Sequence, residues 1–287
     1  APMSLPADLA LRAAGPDDLP AIAMLRAAAG WAAHDWALRA AIQAPHARCW
    51  VVADAEGAIV AIGSGIVYGR LGFVGNMVVA EAHRRRGIGA AILDAVTAFL
   101  EEAACQRLEL FATDDGRPLY ARHGFELTDP SVTARLTRST RLETDASVTL
   151  EEAADIGELA AYDAPRFGGD RSPLLAMMAS DATRPLFVAR QADEIRGYAW
   201  LRTDGPRVGP LVADTPAVAG QLLAEAFRRA PQADELSLNL PTANVAGARW
   251  LRELGLETEE RKGRMARGPE IPRRDDTIYA NLVGALG

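Results

Sequence analysis

Cysteine is scarce in this chain, with only two in 287 residues. Cys49 and Cys105 stand far apart and make neither a metal-spaced set nor a disulfide framework. The expectation is a cytoplasmic protein with both thiols packed and reduced. His46, His83 and His123 show no metal-like spacing either, so no metal is expected. Long apolar runs are also missing, since none approaches the roughly 20 residues of a membrane span. No basic segment followed by an apolar run marks a secretory leader. A basic excess is absent: the formal net charge is −7. That balance argues against nucleic-acid binding and does not repel cationic amines. Two nucleotide motifs fail as well. Ile92 stands where a third glycine would complete a dinucleotide fingerprint, and no Gly-Lys-Ser/Thr forms a phosphate loop.

What is present is an apolar fraction of 49% with 24% charged residues over a length natural for two domains. Strands are expected at residues 9–12, 49–53, 58–68 and 72–80, the last three as an antiparallel meander. The period then changes. Ile88, Ile92, Val96, Phe99 and Ala103 mark one face of a long helix. A strand at 108–112, a short helix at 116–123 and strands at 124–127 and 132–136 complete a first set. Residues 138–147 are polar and read as a linker. The same order recurs afterwards, with strands at 148–150, 186–189, 195–201, 208–213 and 236–240. Helices are expected at 155–162, 173–180, 215–229 and 243–254. Leu108-Glu109-Leu110 with Gly124-Phe125 and Leu236-Ser237-Leu238 with Gly255-Leu256 hold equivalent places. The expectation is a duplicated α/β unit, divided into residues 1–140 and 145–287.

The organising stretch is residues 72–104. Gly72-Phe73-Val74-Gly75-Asn76-Met77-Val78-Val79 runs into His83-Arg84-Arg85-Arg86-Gly87-Ile88-Gly89, and a helix follows. A helix N-terminus carries about half a positive charge, so three cations before it are unfavourable unless an anion sits there. Gly87 and Gly89 lack a Cβ and let backbone N–H groups close on that anion. The bland alternative is a solvated basic turn with two helix-entry glycines. Downstream lies Leu119-Tyr120-Ala121-Arg122-His123-Gly124-Phe125. Arg84-x-x-Gly87-x-Gly89 after a strand, with Tyr120 and Gly124-Phe125 beyond, resembles the GNAT superfamily of acyl-coenzyme A-dependent N-acyltransferases. The resemblance covers residues 9–138.

It implies an α/β (α+β mixed) fold of two GNAT-like domains, each a mixed, mostly antiparallel sheet flanked by helices. It also implies acetyl-CoA as co-substrate. Backbone groups of Met77, Val78 and Val79 would pair with the pantetheine arm. N–H groups across Arg85, Arg86, Gly87, Ile88, Gly89 and Ala90 would hold the pyrophosphate, with the side chains of Arg84, Arg85 and Arg86 assisting. Gly116 and Tyr120 belong to the donor side, and the Tyr120 phenol would protonate the departing thiolate, unless its ring only packs the short helix. No residue declares itself as base. Glu81 is one option and a plain surface charge the other.

The acceptor side is open. Trp31, His34 and Asp35 fall in a helix-breaking stretch that in GNAT proteins often shapes the acceptor pocket. The alternatives are a core role for Trp31 and an ordinary helix start for His34. In the second half Asp214 and Pro216 replace the Arg-Gly motif and Leu251 replaces Tyr120, so that half should not hold coenzyme A. Its polar segment at 162–171 would contribute Asp163 or Asp170 toward a cation and Arg171 toward a carboxylate. Otherwise it is a capped loop with Arg171 in solvent. The leading expectation is a monomeric or homodimeric acetyltransferase acting on a small-molecule amine by direct attack. A coenzyme A sensor without turnover and a protein acetyltransferase are its rivals.

Overall fold

The structure is a computed structural model, and residues 5–31, 35–203, 205–261, 263–282 and 286 are described. His34 lies outside them, as does the side chain of Asp35. In chain order the first part contains β1 (Ala10–Ala13), α1 (Leu19–Ala28), α2 (Asp35–Gln43), β2 (Ala47–Ala53), β3 (Ile59–Tyr68), β4 (Leu71–Val79), α3 (Ile88–Glu102), β5 (Arg107–Phe111), α4 (Arg117–Arg122) and β6 (Glu126–Leu127). Then come β7 (Ser131–Thr137), β8 (Thr149–Glu152), α5 (Ile156–Phe167), α6 (Ser172–Ala179), β9 (Leu186–Gln191), β10 (Glu194–Arg202), β11 (Arg207–Ala213) and α7 (Pro216–Arg229). β12 (Glu235–Pro241), α8 (Val245–Glu253), β13 (Thr258–Arg261), β14 (Arg264–Arg267) and β15 (Ile278–Ala280) finish the chain.

Two sheets form. The first has the order β1-β2-β3-β4-β5-β14-β6, and the second β8-β9-β10-β11-β12-β7-β13. Position for position the orders are the same, which bears out the duplicated mixed α/β architecture. Each sheet has one strand drawn from the far half of the chain. The expectation that residues 132–136 complete the first set is therefore corrected. β7 pairs antiparallel with β12, Val132 opposite Leu240 and Leu136 opposite Leu236. β14 takes the matching place in the first sheet. The compact units are accordingly 1–127 with 265–271 and 284–287, and 128–264 with 272–283. The division expected at 140/145 gives way to this one.

In the first unit successive strand residues feed opposite faces, because side chains alternate across a sheet. Val52 and Ala61 join Ile88, Ile92, Val96 and Leu100 of α3, while Val51 and Ile62 join Ile22, Leu25 and Leu38 of α1 and α2. Burial on both faces explains why β3 and β4 read as nearly unbroken apolar runs. Each such fully buried aliphatic side chain contributes about 1.5–3 kcal/mol.

A second correction concerns α5. The expected loop from 163 onward is helical as far as Phe167, with Pro165 inside the helix, and Gly168 in the left-handed region ends it. Asp155 starts it by accepting from the Glu158 N–H. No helix among the described residues is long and apolar enough to cross a membrane.

Candidate active site

The site is built where β4 changes direction. Ser64 on β3 faces Gly75, but Ile62 faces Val78, so β4 carries one extra residue across that interval. Asn76 absorbs it with φ 55°, a left-handed conformation that asparagine tolerates better than most non-glycine residues. On its other side β4 pairs with β5 in parallel from Leu71–Arg107 to Val74–Leu110, where the registered pairing stops. Past the bulge the β5-facing edge of β4 is open.

Alternation decides which groups use that edge. The Ala80 N–H donates to Val60 on β3, so the main-chain groups of Val78, two residues earlier, also face β3. Those of Met77 and Val79 face the open side. The Val79 carbonyl accepts from Arg84 Nε at 3.3 Å, in keeping with that direction. Of the three strand residues expected to present backbone to a donor, Val78 is thus turned the other way.

The N-terminus of α3 adjoins this edge. Gly87 is its first flanking residue, at φ 81°, with no side chain capping the helix. Arg85 before it also has positive φ, 64°. Among the described residues no acceptor takes the N–H groups of residues 85–90, and the first bond back is Ala91 N–H to the Gly87 carbonyl at 3.1 Å. Orphan donors and the helix dipole together make a ready anion site. The three arginines are not equivalent. Arg86 Nη2 donates to both Asp8 carboxylate oxygens, at 2.8 and 2.9 Å, and the guanidinium holds the Asp8 carboxyl below its usual range. Arg84 lies 4.0 Å from exposed Asp115. Arg85 is exposed and has no ion pair among the described residues. Arg86 is thus engaged by Asp8 in this structure.

The wall opposite is α4. A Cβ built on Gly89 would sit 3.3 Å from Leu119 and 3.8 Å from Val79, so α3, α4 and β4 converge at this glycine. His123 braces the arrangement, with Nδ1 2.8 Å from the Leu119 carbonyl and Nε2 3.3 Å from Asp94 on α3. Tyr120 is buried, edge-on to Phe125 at 6.2 Å. Gly116 leaves room for it, since a Cβ there would be 3.0 Å from the tyrosine ring. Burial raises the Tyr120 pKa and keeps the phenol protonated.

Trp31 is half-buried against the α1–α2 core, with the Arg26 guanidinium 5.5 Å from its ring centroid. Asp163 and Arg171 lie elsewhere, inside the second unit. The Arg171 fork donates to Asp163 at 2.7 and 2.9 Å, and the Tyr198 hydroxyl donates to the same carboxylate at 2.6 Å. Neither faces solvent, which corrects both readings of the pair; their charges neutralise each other in the core. Asp170 is exposed and accepts from the Ser172 N–H at 2.8 Å.

The second unit's counterpart of this open edge is filled from within. Among the described residues β11 pairs with β12 only at Arg207–Ser237, and β15 pairs with β11 through Leu211–Ala280 and Val212–Ile278. The Asn281 N–H donates to Asn239 on β12 at 2.8 Å. Gly209 permits this approach, because a Cβ there would lie 2.2 Å from the Asn281 carbonyl oxygen. Thr215 caps α7 by accepting from Val218 N–H. Asp214 bonds Arg166 at 2.7 Å and the Tyr162 hydroxyl at 3.0 Å.

Two features escaped the sequence reading. One is the polar clasp on Asn76, which accepts from Arg26 at 2.9 Å and donates to Ser64 at 3.0 Å, all three side chains buried. Its trace in the sequence is a Gly75-Asn76 turn pair inside an apolar strand. The other is β15. Among the described residues no group of three or more His, Cys, Asp and Glu is placed to hold a metal ion.

Comparison with known proteins agrees with this geometry. Two models described as acetyltransferase (GNAT) domains match, one over residues 45–127 and one over residues 159–280. The uncharacterized N-acetyltransferase YitH of Bacillus subtilis is 28% identical over 77% of this chain and 78% of its own. Holothin acyltransferase of a Pseudoalteromonas species is 31% identical over 47% of each chain. A crystal structure of a Pyrococcus horikoshii protein, solved under an acetyltransferase name, superposes with a TM-score of 0.79 at 22% identity, covering 99% of this chain and 98% of that one. With one such domain matched in each half and the strand order repeated between them, the chain belongs to the GNAT acetyltransferase superfamily in its tandem form.

Proposed function

We propose that the first unit transfers an acyl group, acetyl in the simplest case, from acyl-coenzyme A to a primary amine of a small molecule. The observation that carries this reading is the meeting of an open strand edge with an uncapped helix N-terminus at Val79 and Gly89. An extended pantetheine arm would pair with the outward main-chain groups of Met77 and Val79 as an added strand. Its pyrophosphate would lie against the N–H groups of residues 85–90, with Arg84 and Arg85 adjoining.

The neutral amine nitrogen attacks the thioester carbonyl carbon. The new C–N bond forms as the carbonyl electron pair moves onto oxygen, where an outward N–H of β4 stabilises it. Collapse breaks the C–S bond, and the Tyr120 phenol gives its proton to the departing thiolate. The amine's own proton leaves through a base or a water chain. Burial pushes the Cys49 thiol up to about 12 and the Cys105 thiol to about 11. Neither supplies a thiolate near neutral pH, which favours direct transfer over a cysteine-bound intermediate.

The relatives differ in name, one an N-acetyltransferase and the other an acyltransferase. The test therefore presents the full chain with acetyl-coenzyme A and longer acyl donors against a broad panel of small amines, reading free thiol. Amine-dependent thiol release is the expected result. Donor binding without release across the panel would replace transfer with a sensing role. Acetylation confined to protein amines would move the acceptor class.

A further inference from the structure

The β4 bulge aims the proposed donor edge, and something must hold it. Asn76 sits in a left-handed conformation at φ 55°, one residue before Met77. Its side-chain amide is engaged at both ends. Oδ1 accepts from Arg26 Nη1 at 2.9 Å, and Nδ2 donates to Ser64 Oγ at 3.0 Å. Ser64 lies opposite Gly75, at the point where the β3–β4 register shifts. Arg26 is on α1, 50 residues away in sequence, and only 4% exposed. Its guanidinium lies against the Trp31 ring, and the Trp31 N–H donates back to the Arg26 carbonyl at 2.9 Å.

A core built only for packing has no use for this chain of polar groups. Buried polar networks fix their members in one geometry. Here the geometry they specify is the kink after which Met77 and Val79 turn outward. Neither Arg26 nor Asn76 belongs to the helix cradle, which is formed by residues 85–90. The clasp and the cradle are therefore separable.

We propose that Arg26 is a positioning residue. Acting through Asn76, it sets the direction of the Met77 and Val79 main-chain groups and so the placement of the thioester carbonyl, while pyrophosphate affinity is left to α3. The proposal rests on the transfer reading above for its kinetic consequence, and on the bulge alone for its structural one. Misplacing a reacting group by about 1 Å costs up to about 10²-fold in rate. Arg26→Met should lower turnover between about tenfold and about 10²-fold, with the calorimetric affinity for acetyl-coenzyme A within about twofold of the parent. Arg26→Lys keeps a donor without the fork and should recover part of the rate.

If Arg26 acts through Asn76, the Arg26→Met/Asn76→Gly double variant should be no slower than the worse single one, because glycine adopts φ 55° freely and leaves no amide to satisfy. Unchanged turnover in Arg26→Met, or fully additive losses in the double variant, would overturn the proposal. A readout independent of activity is amide hydrogen exchange. Residues 75–79 should exchange faster in Arg26→Met while residues 88–102 keep parental rates. No change at 75–79 refutes the clasp even if no acceptor amine is found. Absence of turnover in the parent chain, by contrast, counts against the transfer reading and leaves the exchange result to decide the clasp.

Discussion

Among single residues, the structural placement of Tyr120 and Gly87 is legible because its reasons are local. A tyrosine four residues before Gly124, and a glycine between a basic turn and a helix, can be placed from the chain alone. The fold adds the geometry: Gly87 is left-handed at φ 81°, and Gly116 makes room for the Tyr120 ring. Asn76 and Arg26 were not legible, since their bond joins residues 50 apart and no periodicity reports such a pairing. Tyr120→Phe should slow transfer by about 10²-fold with donor affinity nearly intact; an unchanged rate at saturating donor would remove the phenol from the mechanism. The pH sign follows from burial. A raised pKa keeps the phenol protonated across the neutral range and beyond its ordinary value of about 10. An alkaline loss of rate below that pH should therefore persist unchanged in any residual activity of Tyr120→Phe, which a pH–rate profile of both proteins checks.

Elements were read well where one face or both are buried, because alternation and the 3.6-residue period are then strong. The Ile88, Ile92 and Val96 stripe of α3 is the clearest case. Element ends were read less well. The polar segment at 162–171 reads as a loop between two helices, yet α5 runs on to Phe167 because Asp163 finds Arg171 and Tyr198 in the interior. A charge neutralised by a distant partner looks, in sequence, like a charge for solvent. Asp163→Asn should destabilise the fold by about 3–5 kcal/mol, since it leaves the Arg171 charge buried and uncompensated; denaturant titration reads the loss, and acetyl-coenzyme A affinity should not follow it. The α3–α4 contact makes a different prediction. A Cβ at Gly89 would meet Leu119 at 3.3 Å, so Gly89→Ala needs only a small adjustment, whereas Gly89→Leu must push α4 away. Calorimetry should find acyl-coenzyme A binding retained within about fivefold in the first and abolished in the second. Undiminished binding in Gly89→Leu would argue against the cradle.

For the whole molecule, the repeated strand order was visible as a repeated pattern, but the identity of the sixth strand in each sheet was not. A strand's sequence records which face is buried, and not which neighbour it pairs with. β7 alternates along Val132, Ala134 and Leu136, whereas β14 is only four residues long with its first three all buried, and neither pattern names the sheet it joins. The corresponding edge of the second unit carries β15, its helix is capped by Thr215, and Asp214 is held by Arg166 and Tyr162. Calorimetry on the full chain should therefore return one acyl-coenzyme A site per polypeptide; a stoichiometry of two would show that β15 yields to the donor. The exchanged strands carry a consequence for how the protein is made. A ribosome delivers residues 1–127 well before Met265, at about 5–20 residues per second, a wait on the order of ten seconds. Through that interval the first sheet has β5 for an edge and lacks the strand that separates it from β6. A nascent chain thus cannot finish its proposed donor-binding half early, and a message cut short anywhere before β14 yields a polypeptide with neither sheet complete.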